Sequence, residues 1–304
     1  MTNLSGSQYT LQSGEYRATI SSVGASLREL SFGGRDLIVP FDADEVRPAF
    51  RGATLAPWPN RVVDGKYSFG GMDYQLALTE PARQHALHGL AAWLDFDAVE
   101  QAEDRLVLGT TIVAQFGYPF RLKLRVEFRL DGAGLHWSVS ALNLGPVAAP
   151  FGTGPHPYLV AGEGHVDDWI LELPAESVLT VTEDRLIPLD LENVDGGEFD
   201  FRTARAIGDT FIDHAYTGIA RSSDGIASVK LTTTAGTGVG MTWGTDCPWV
   251  QVHTADRTDD PSISRIGLAV EPMTCPPDAF NSGTDLIVIE PGDTATAGWS
   301  IHAI

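Results

Sequence analysis

Residues 120–141 read FRLKLRVEFRLDGAGLHWSVSA. Phe120, Leu122, Leu124, Val126, Phe128 and Leu130 alternate with Arg121, Lys123, Arg125, Glu127 and Arg129. Successive side chains of an extended chain point to opposite sides, so this alternation gives a strand one apolar and one charged face. Asp131-Gly132-Ala133-Gly134 turns the chain. Leu135, Trp137, Val139 and Ala141 repeat the alternation on the way back, which makes the segment a long hairpin.

The same period recurs outward from it. Tyr67 and Phe69 precede Gly70-Gly71, and Tyr74, Leu76 and Leu78 follow, a second hairpin. Further strands are expected at 16–20, 37–41, 105–113, 169–173, 228–233, 250–253, 266–270 and 285–289. Nowhere do ten or more residues carry a helical stripe; short helical turns are expected at 51–55 and 277–281. The chain is therefore expected to be all-β, built of packed antiparallel sheets. No linker, low-complexity tract or internal repeat divides it, so residues 1–304 read as a single domain. The acidic stretch 190–200 reads as a solvated loop.

Composition bounds the partners. Of 304 residues, 40 are acidic and 20 basic, a formal net charge of -20, which repels phosphate backbones and anionic lipid. Nucleic acid and membrane are thus poor partners. Hydrophobic residues at 43% exclude a disordered chain. Cys247 and Cys275 are too few for a disulfide framework and read as reduced thiols. The N-terminus, Met1-Thr2-Asn3-Leu4, shows no leader-like segment, and no apolar run approaches the ~20 residues of a membrane helix, so the expected location is cytoplasmic.

Five polar clusters interrupt the strands. In Ala56-Pro57-Trp58-Pro59-Asn60-Arg61, prolines fix an indole that can stack on a ligand, beside an amide and a guanidinium that bind hydroxyls. The same string also suits a rigid loop with a surface ion pair. In His85-Ala86-Leu87-His88-Gly89 the two histidines lack a third close ligand in sequence, so no metal is expected, and a structural histidine is the plain alternative. His156, flanked by Pro155 and Pro157, has the fixed backbone a general acid needs, or is an ordinary turn histidine. Asp213 lies among apolar residues, where an unpaired carboxylate is costly, so it has either protein or ligand partners. Glu271 is expected to end a strand before Pro272, partly desolvated with a raised pKa, or else to stand in solvent.

In order, these clusters resemble the aldose 1-epimerase, or galactose mutarotase, family. Asn60-Arg61-Val62 resembles its early Asn-Arg signature, and Leu87-His88-Gly89 its Leu-His-Gly motif. Gly117-Tyr118-Pro119, His156, Ile187-Pro188, Phe199-Asp200-Phe201, Asp213-His214, Val250-Gln251-Val252 and Glu271-Pro272 continue the order over roughly residues 16 to 300. Leu90 and the prolines around His156 depart from the common pattern. The resemblance implies a galactose mutarotase-like β-sandwich and a cofactor-free isomerase of carbohydrate metabolism that interconverts anomers of a monosaccharide. It implies Glu271 as base and His156 as acid. Arg61, His88 and Asp213 would bind sugar oxygens, and Asn60, Gln251 and Trp58 would line the site. It further implies an acidic activity limb from Glu271 and an alkaline limb from His156. A slow sugar-binding domain, a glycosidase using Asp213 with Glu271, and an epimerase of anionic hexoses remain open; so does the choice between monomer and homodimer.

Overall fold

The computed structural model describes residues 3–258 and 260–304; Met1 and Thr2, part of the N-terminal stretch inspected for a leader, lie outside them. The chain is all-β. Its largest sheet has nine strands, with the expected long hairpin near the centre. Leu122–Asp131 pairs with Gly134–Asn143 from Leu122↔Asn143 to Asp131↔Gly134, and the latter strand pairs on with Thr294–Ala303. Leu122, Leu124, Val126, Phe128, Leu135, Trp137 and Val139 are all buried, as the period of two requires. Each such side chain contributes roughly 1.5–3 kcal/mol of hydrophobic stabilisation.

A second sheet has six strands in the order Tyr158–Leu159, Leu268–Met273, Trp249–His253, Asp213–Ile219, Ala175–Val181 and Pro188–Asn193. Val250, Val252, Leu268, Val270 and Tyr216 point from one of its faces into the same hydrophobic cluster as the first sheet's buried side chains. The two sheets are thereby stacked. The register sets the other face: Gln251 lies opposite Glu271, His253 opposite Ala269, and Asp213 opposite His253. That face thus carries Glu271, Gln251, His253, Asp213 and, opposite Ala269, Tyr158. A four-stranded sheet formed by residues 8–36 adds a further layer of strands.

Several local expectations shift. The strand expected at 266–270 is Leu268–Met273, so Glu271 is internal to it and only 1% exposed. Residues 37–41 form no strand beyond an Ile38–Leu159 bridge, since Pro40 has no N–H for a ladder. The helical turn expected at 51–55 is absent: a 3-10 turn lies just before it at Pro48–Phe50, and Thr54–Leu55 is a strand paired with Gly154–Pro155, while the turn expected at 277–281 is the single-turn helix Ala279–Ser282. The acidic stretch begins in the edge strand Pro188–Asn193, whose side chains are mostly exposed.

The loop that covers the polar face is tied down at Gly52. Its N–H donates to the His156 carbonyl at 2.8 Å, and its own carbonyl accepts from Leu27 at 2.9 Å. Gly52 has φ +65°, and a Cβ there would lie 2.0 Å from the Leu27 carbonyl oxygen. Gly70, at φ +60°, has nothing within 4 Å of such an atom. Both substitutions to Ala carry the left-handed penalty of about 1–2 kcal/mol. Only Gly52→Ala also forces the backbone apart. Urea unfolding should show Gly52→Ala lowering stability clearly more than Gly70→Ala; equal losses would contradict this packing.

Candidate active site

Two loops bring their side chains over the polar face of the six-stranded sheet. Strand Arg61–Val63 pairs with His85–Leu87, and the His88 amide donates to the Asn60 carbonyl at 2.8 Å. Asn60 and His88 both adopt left-handed backbones, φ 52° and 60°. Asn60 uses its side-chain oxygen to accept from the Arg61 amide at 2.9 Å. His156 is held from the other side by its amide, which donates to the Ala53 carbonyl at 3.0 Å. Between these elements lies a cavity of about 270 Å³ lined by Phe50, Asn60, Arg61, Glu80, Arg83, His88, His156, Tyr158, Phe211, Asp213, His253, Asp256, Arg257 and Glu271. That is the size class of a single small molecule.

At its floor, His156 Nε2 stands 3.5 Å from Glu271 Oε1, with both side chains nearly inaccessible to solvent. Glu271 Oε2 has no hydrogen-bond partner. Burial, and secondarily the charge of Asp213, raise the Glu271 pKa well above its ordinary value against the pull of Arg61. Burial, with the field of His253, pushes the His156 imidazole down to about 3. Burial and the neighbouring His156 hold His88 well below its usual value too. The contact has the geometry of an ion pair, but both directions disfavour the charged forms and so favour a carboxylic acid beside a neutral imidazole.

Charge is confined to the flank. Arg61 grips Glu80 with two hydrogen bonds, Nε to Oε2 at 2.8 Å and Nη2 to Oε1 at 3.1 Å, and lies 3.7 Å from Asp213. Gln251 donates to Asp213 Oδ1 at 2.6 Å. Burial alone would raise the Asp213 carboxyl, but His253, Arg61 and Gln251 together hold it below the usual range. Two carboxyl groups on one face are thus pushed in opposite directions, Asp213 toward its charged form and Glu271 toward its protonated form.

Glu271, His156, Arg61, His88, Asp213 and Asn60 converge on the cavity. Gln251 lies beneath it and reaches it only through Asp213. Trp58, expected to stack on a ligand, is instead in the core, its ring against Tyr118 and Phe280 and its indole N–H donating to the Ala86 carbonyl at 3.3 Å. A large aromatic between two prolines is as well suited to filling a core as to facing a cleft. His85 is structural: its Nδ1 accepts from the Asp64 amide and its Nε2–H donates to the Arg185 carbonyl. The fold also supplies the third donor that the His85/His88 spacing lacked. His88, His156 and Glu271 offer ligand atoms within 4.8 Å of one another, close enough to engage one hydroxyl or one divalent ion.

Phe50, Glu80, Arg83, Asp256 and Arg257 lie on loops and gave no periodic signal. His253 was accessible to reasoning, because it is two residues beyond Gln251 on the same strand face. A larger groove of about 720 Å³ opens beside Tyr67, Tyr74 and Phe116, but of its titratable lining residues only Tyr67 is buried, and no acid–base pair forms there.

The aldose 1-epimerase family profile matches residues 7–302. An Escherichia coli K12 protein known as uncharacterized protein YihR is 38% identical over 289 residues, 95% of this chain and 90% of its own. Galactose mutarotase of Bos taurus is 27% identical over 217 residues, 66% of this chain and 62% of its own. In fold, the crystal structure of the Caenorhabditis elegans GalM/aldose epimerase homologue superposes with a TM-score of 0.86 at 19% identity, covering 98% of each chain.

Arg61 separates structural from surface ion pairs. Removing it strands two shielded carboxylates, so Arg61→Ala should cost about 3 kcal/mol in urea unfolding. Arg83 pairs with Glu80 at 2.9 Å from a side chain that is 37% exposed. Arg83→Ala should cost no more than about 1 kcal/mol. Similar losses for both would contradict the buried pairing.

Proposed function

The chain belongs to the aldose 1-epimerase family, and we propose that it interconverts the α and β anomers of a free monosaccharide by acid–base opening and closing of the sugar ring. What carries this proposal is the Glu271–His156 contact at 3.5 Å on the floor of a monosaccharide-sized cavity. We take residues 1–304 to act as one unit.

In the productive tautomer Glu271 is a carboxylate and His156 an imidazolium. Glu271 takes the proton of the C1 hydroxyl while His156 gives its proton to the ring oxygen O5. The C1–O5 bond breaks, C1 becomes an aldehyde carbon and O5 a hydroxyl. Rotation about C1–C2 presents the other face of C1, and closure returns both protons by the reverse steps. Atoms and charges balance without a redox step, so the chemistry calls for neither cofactor nor metal. Ring opening leaves Glu271 protonated and His156 neutral, which is the state that burial favours. The dry floor thereby stabilises the enzyme's half of the open-chain intermediate. Arg61 and His88 would hold the ring and hydroxyl oxygens, and Asp213, kept ionised, would accept from hydroxyls. Asn60 supports both, fixing the Arg61 and His88 backbones.

A neutral sugar is the first choice of substrate. The cavity's guanidiniums are matched by the carboxylates Glu80, Asp213 and Asp256, and the chain's charge of -20 disfavours anions on approach. One observation favours an anionic hexose as the second choice. Arg83 and Arg257 line the cavity, where sequence clusters supplied only Arg61.

NMR exchange on anomers of glucose, galactose, arabinose, xylose and one sulfonated or phosphorylated hexose, in chelator-containing buffer, tests the proposal. Glu271→Gln and His156→Gln should each lower kcat by roughly 10²–10⁴-fold with KM little changed. The pH profile should differ from that expected of an exposed carboxylate base. The active state holds one proton on the pair, from His156 at about 3 up to the raised value of Glu271. Activity should therefore stay level through the ordinary carboxylate range and fall on the alkaline side, where that proton is lost. This reverses the limb assignment expected from sequence. A Glu271→Gln variant keeping more than about a tenth of wild-type kcat would remove Glu271 as the base.

A further inference from the structure

The two imidazoles of the cavity, His88 and His156, are held chiefly by aromatic rings. A functional histidine is ordinarily fixed by a hydrogen bond from its second ring nitrogen. Here the Nδ1 atom of His88 is buried without a partner, and that of His156 meets no group beyond its own backbone. Their rings are nevertheless nearly perpendicular, at 86°, with centroids 4.8 Å apart. Aromatic packing takes the place of hydrogen bonds. Tyr158 stacks on His156 at 5.2 Å. Phe50 meets His88 edge-on at 4.7 Å and is stacked toward His156 at 6.3 Å.

Phe50 reaches this position through a strained backbone. Ala49 and Phe50 adopt left-handed conformations in succession, φ 45° and 56°. For residues with a Cβ, each such conformation costs on the order of 1–3 kcal/mol. A glycine would make the same turn without that cost, so the turn alone does not call for a phenyl ring. The turn is held by Tyr158, whose hydroxyl donates to the Ala49 carbonyl at 3.2 Å. The ring is backed by Trp93 at 5.6 Å, and the buried Arg47 guanidinium lies 4.5 Å from the Trp93 ring centre. Arg47 in turn donates to Ser26 Oγ and to the Val23 and Ala92 carbonyls. A chain of packed groups thus runs from the loop framework through Trp93 and Phe50 to both imidazoles.

We propose that Phe50 is a positioning residue for His88 and His156, its ring wedged against both so that His156 Nε2 stays directed at Glu271. The inference rests on the mutarotase function proposed above only for its kinetic consequence; the wedge itself is a property of the ligand-free protein. The test compares Phe50→Leu, which keeps apolar bulk but loses the flat ring, with Phe50→Tyr, which keeps the ring. Phe50→Leu should lower kcat roughly tenfold or more, since angstrom-scale misplacement of a catalytic group costs up to about a hundredfold. KM should rise by less than kcat falls, because Arg61 and Asp213 keep their contacts to hydroxyls while only the imidazoles are displaced. Phe50→Tyr should restore most of kcat. In ligand-free protein the imidazole Cε1–H NMR signals of His88 and His156 should shift and broaden in Phe50→Leu, and not in Phe50→Tyr.

Unmoved imidazole signals with kcat within about twofold of wild type would overturn the proposal. So would a rise in KM alone, which would make Phe50 a sugar-contacting wall. Should Phe50→Leu not fold, Trp93→Leu removes the ring's backing and leaves the turn intact. It should show the same changes in milder form, and unchanged signals with full kcat there would equally overturn the wedge. Should the wild-type protein show no mutarotation, the function proposed above fails, and the imidazole signals still decide the inference.

Discussion

Everything at the site depends on a carboxyl group placed where water does not reach. Glu271 sits inside a strand, not at its end, 1% exposed, beneath loops that close over the sheet. A carboxylate there has lost its hydration, and the cation nearest to it, Arg61, is already held by Glu80. Burial therefore favours its protonated form, with an imidazole 3.5 Å away whose charged form burial also disfavours. A step that turns the charged form of this pair into the neutral one is assisted by the dry surroundings.

The architecture separates this dry pair from the charged groups on the cavity's flank. The six-stranded sheet gives one face to the apolar core and the other to the cavity. On the latter, strand register alone sets Asp213 beside His253 and Gln251 beside Glu271. His253, Arg61 and Gln251 hold the Asp213 carboxyl below the usual range, whereas at Glu271 burial and the charge of Asp213 outweigh the pull of Arg61. The loops supply what the sheet cannot: Arg61 and His88 from the paired strands Arg61–Val63 and His85–Leu87, and Phe50 from a strained turn.

The fold was legible because its strands advertise themselves. Residues 120–141 alternate so regularly that the hairpin and its turn could be read to the residue. The polar face was legible only in part. Asp213, Glu271 and His156 stood out as titratable groups within apolar or proline-fixed stretches. The strand expected at 266–270 lies two to three residues further on, at Leu268–Met273, so Glu271 is internal to it and not at its end. Trp58 was drawn to the site because two prolines suggest a presented ring, yet the side chain fills the core beside Tyr118 and Phe280. Glu80 and Phe50 were invisible, since nothing local marks a loop residue that acts through tertiary contact. His88 and His156, far apart in sequence, meet only because two loops close over the same strands.

Burial and Asp213 together should keep Glu271 protonated in the resting protein at neutral pH. Its side-chain carboxyl carbon, observed by carbon-13 NMR and assigned by difference from Glu271→Gln, tests this without any substrate. The expected signal remains that of a carboxylic acid through neutrality and titrates far above the ordinary value of about 4.3. A carboxylate signal at neutral pH, titrating near the ordinary value, would contradict it.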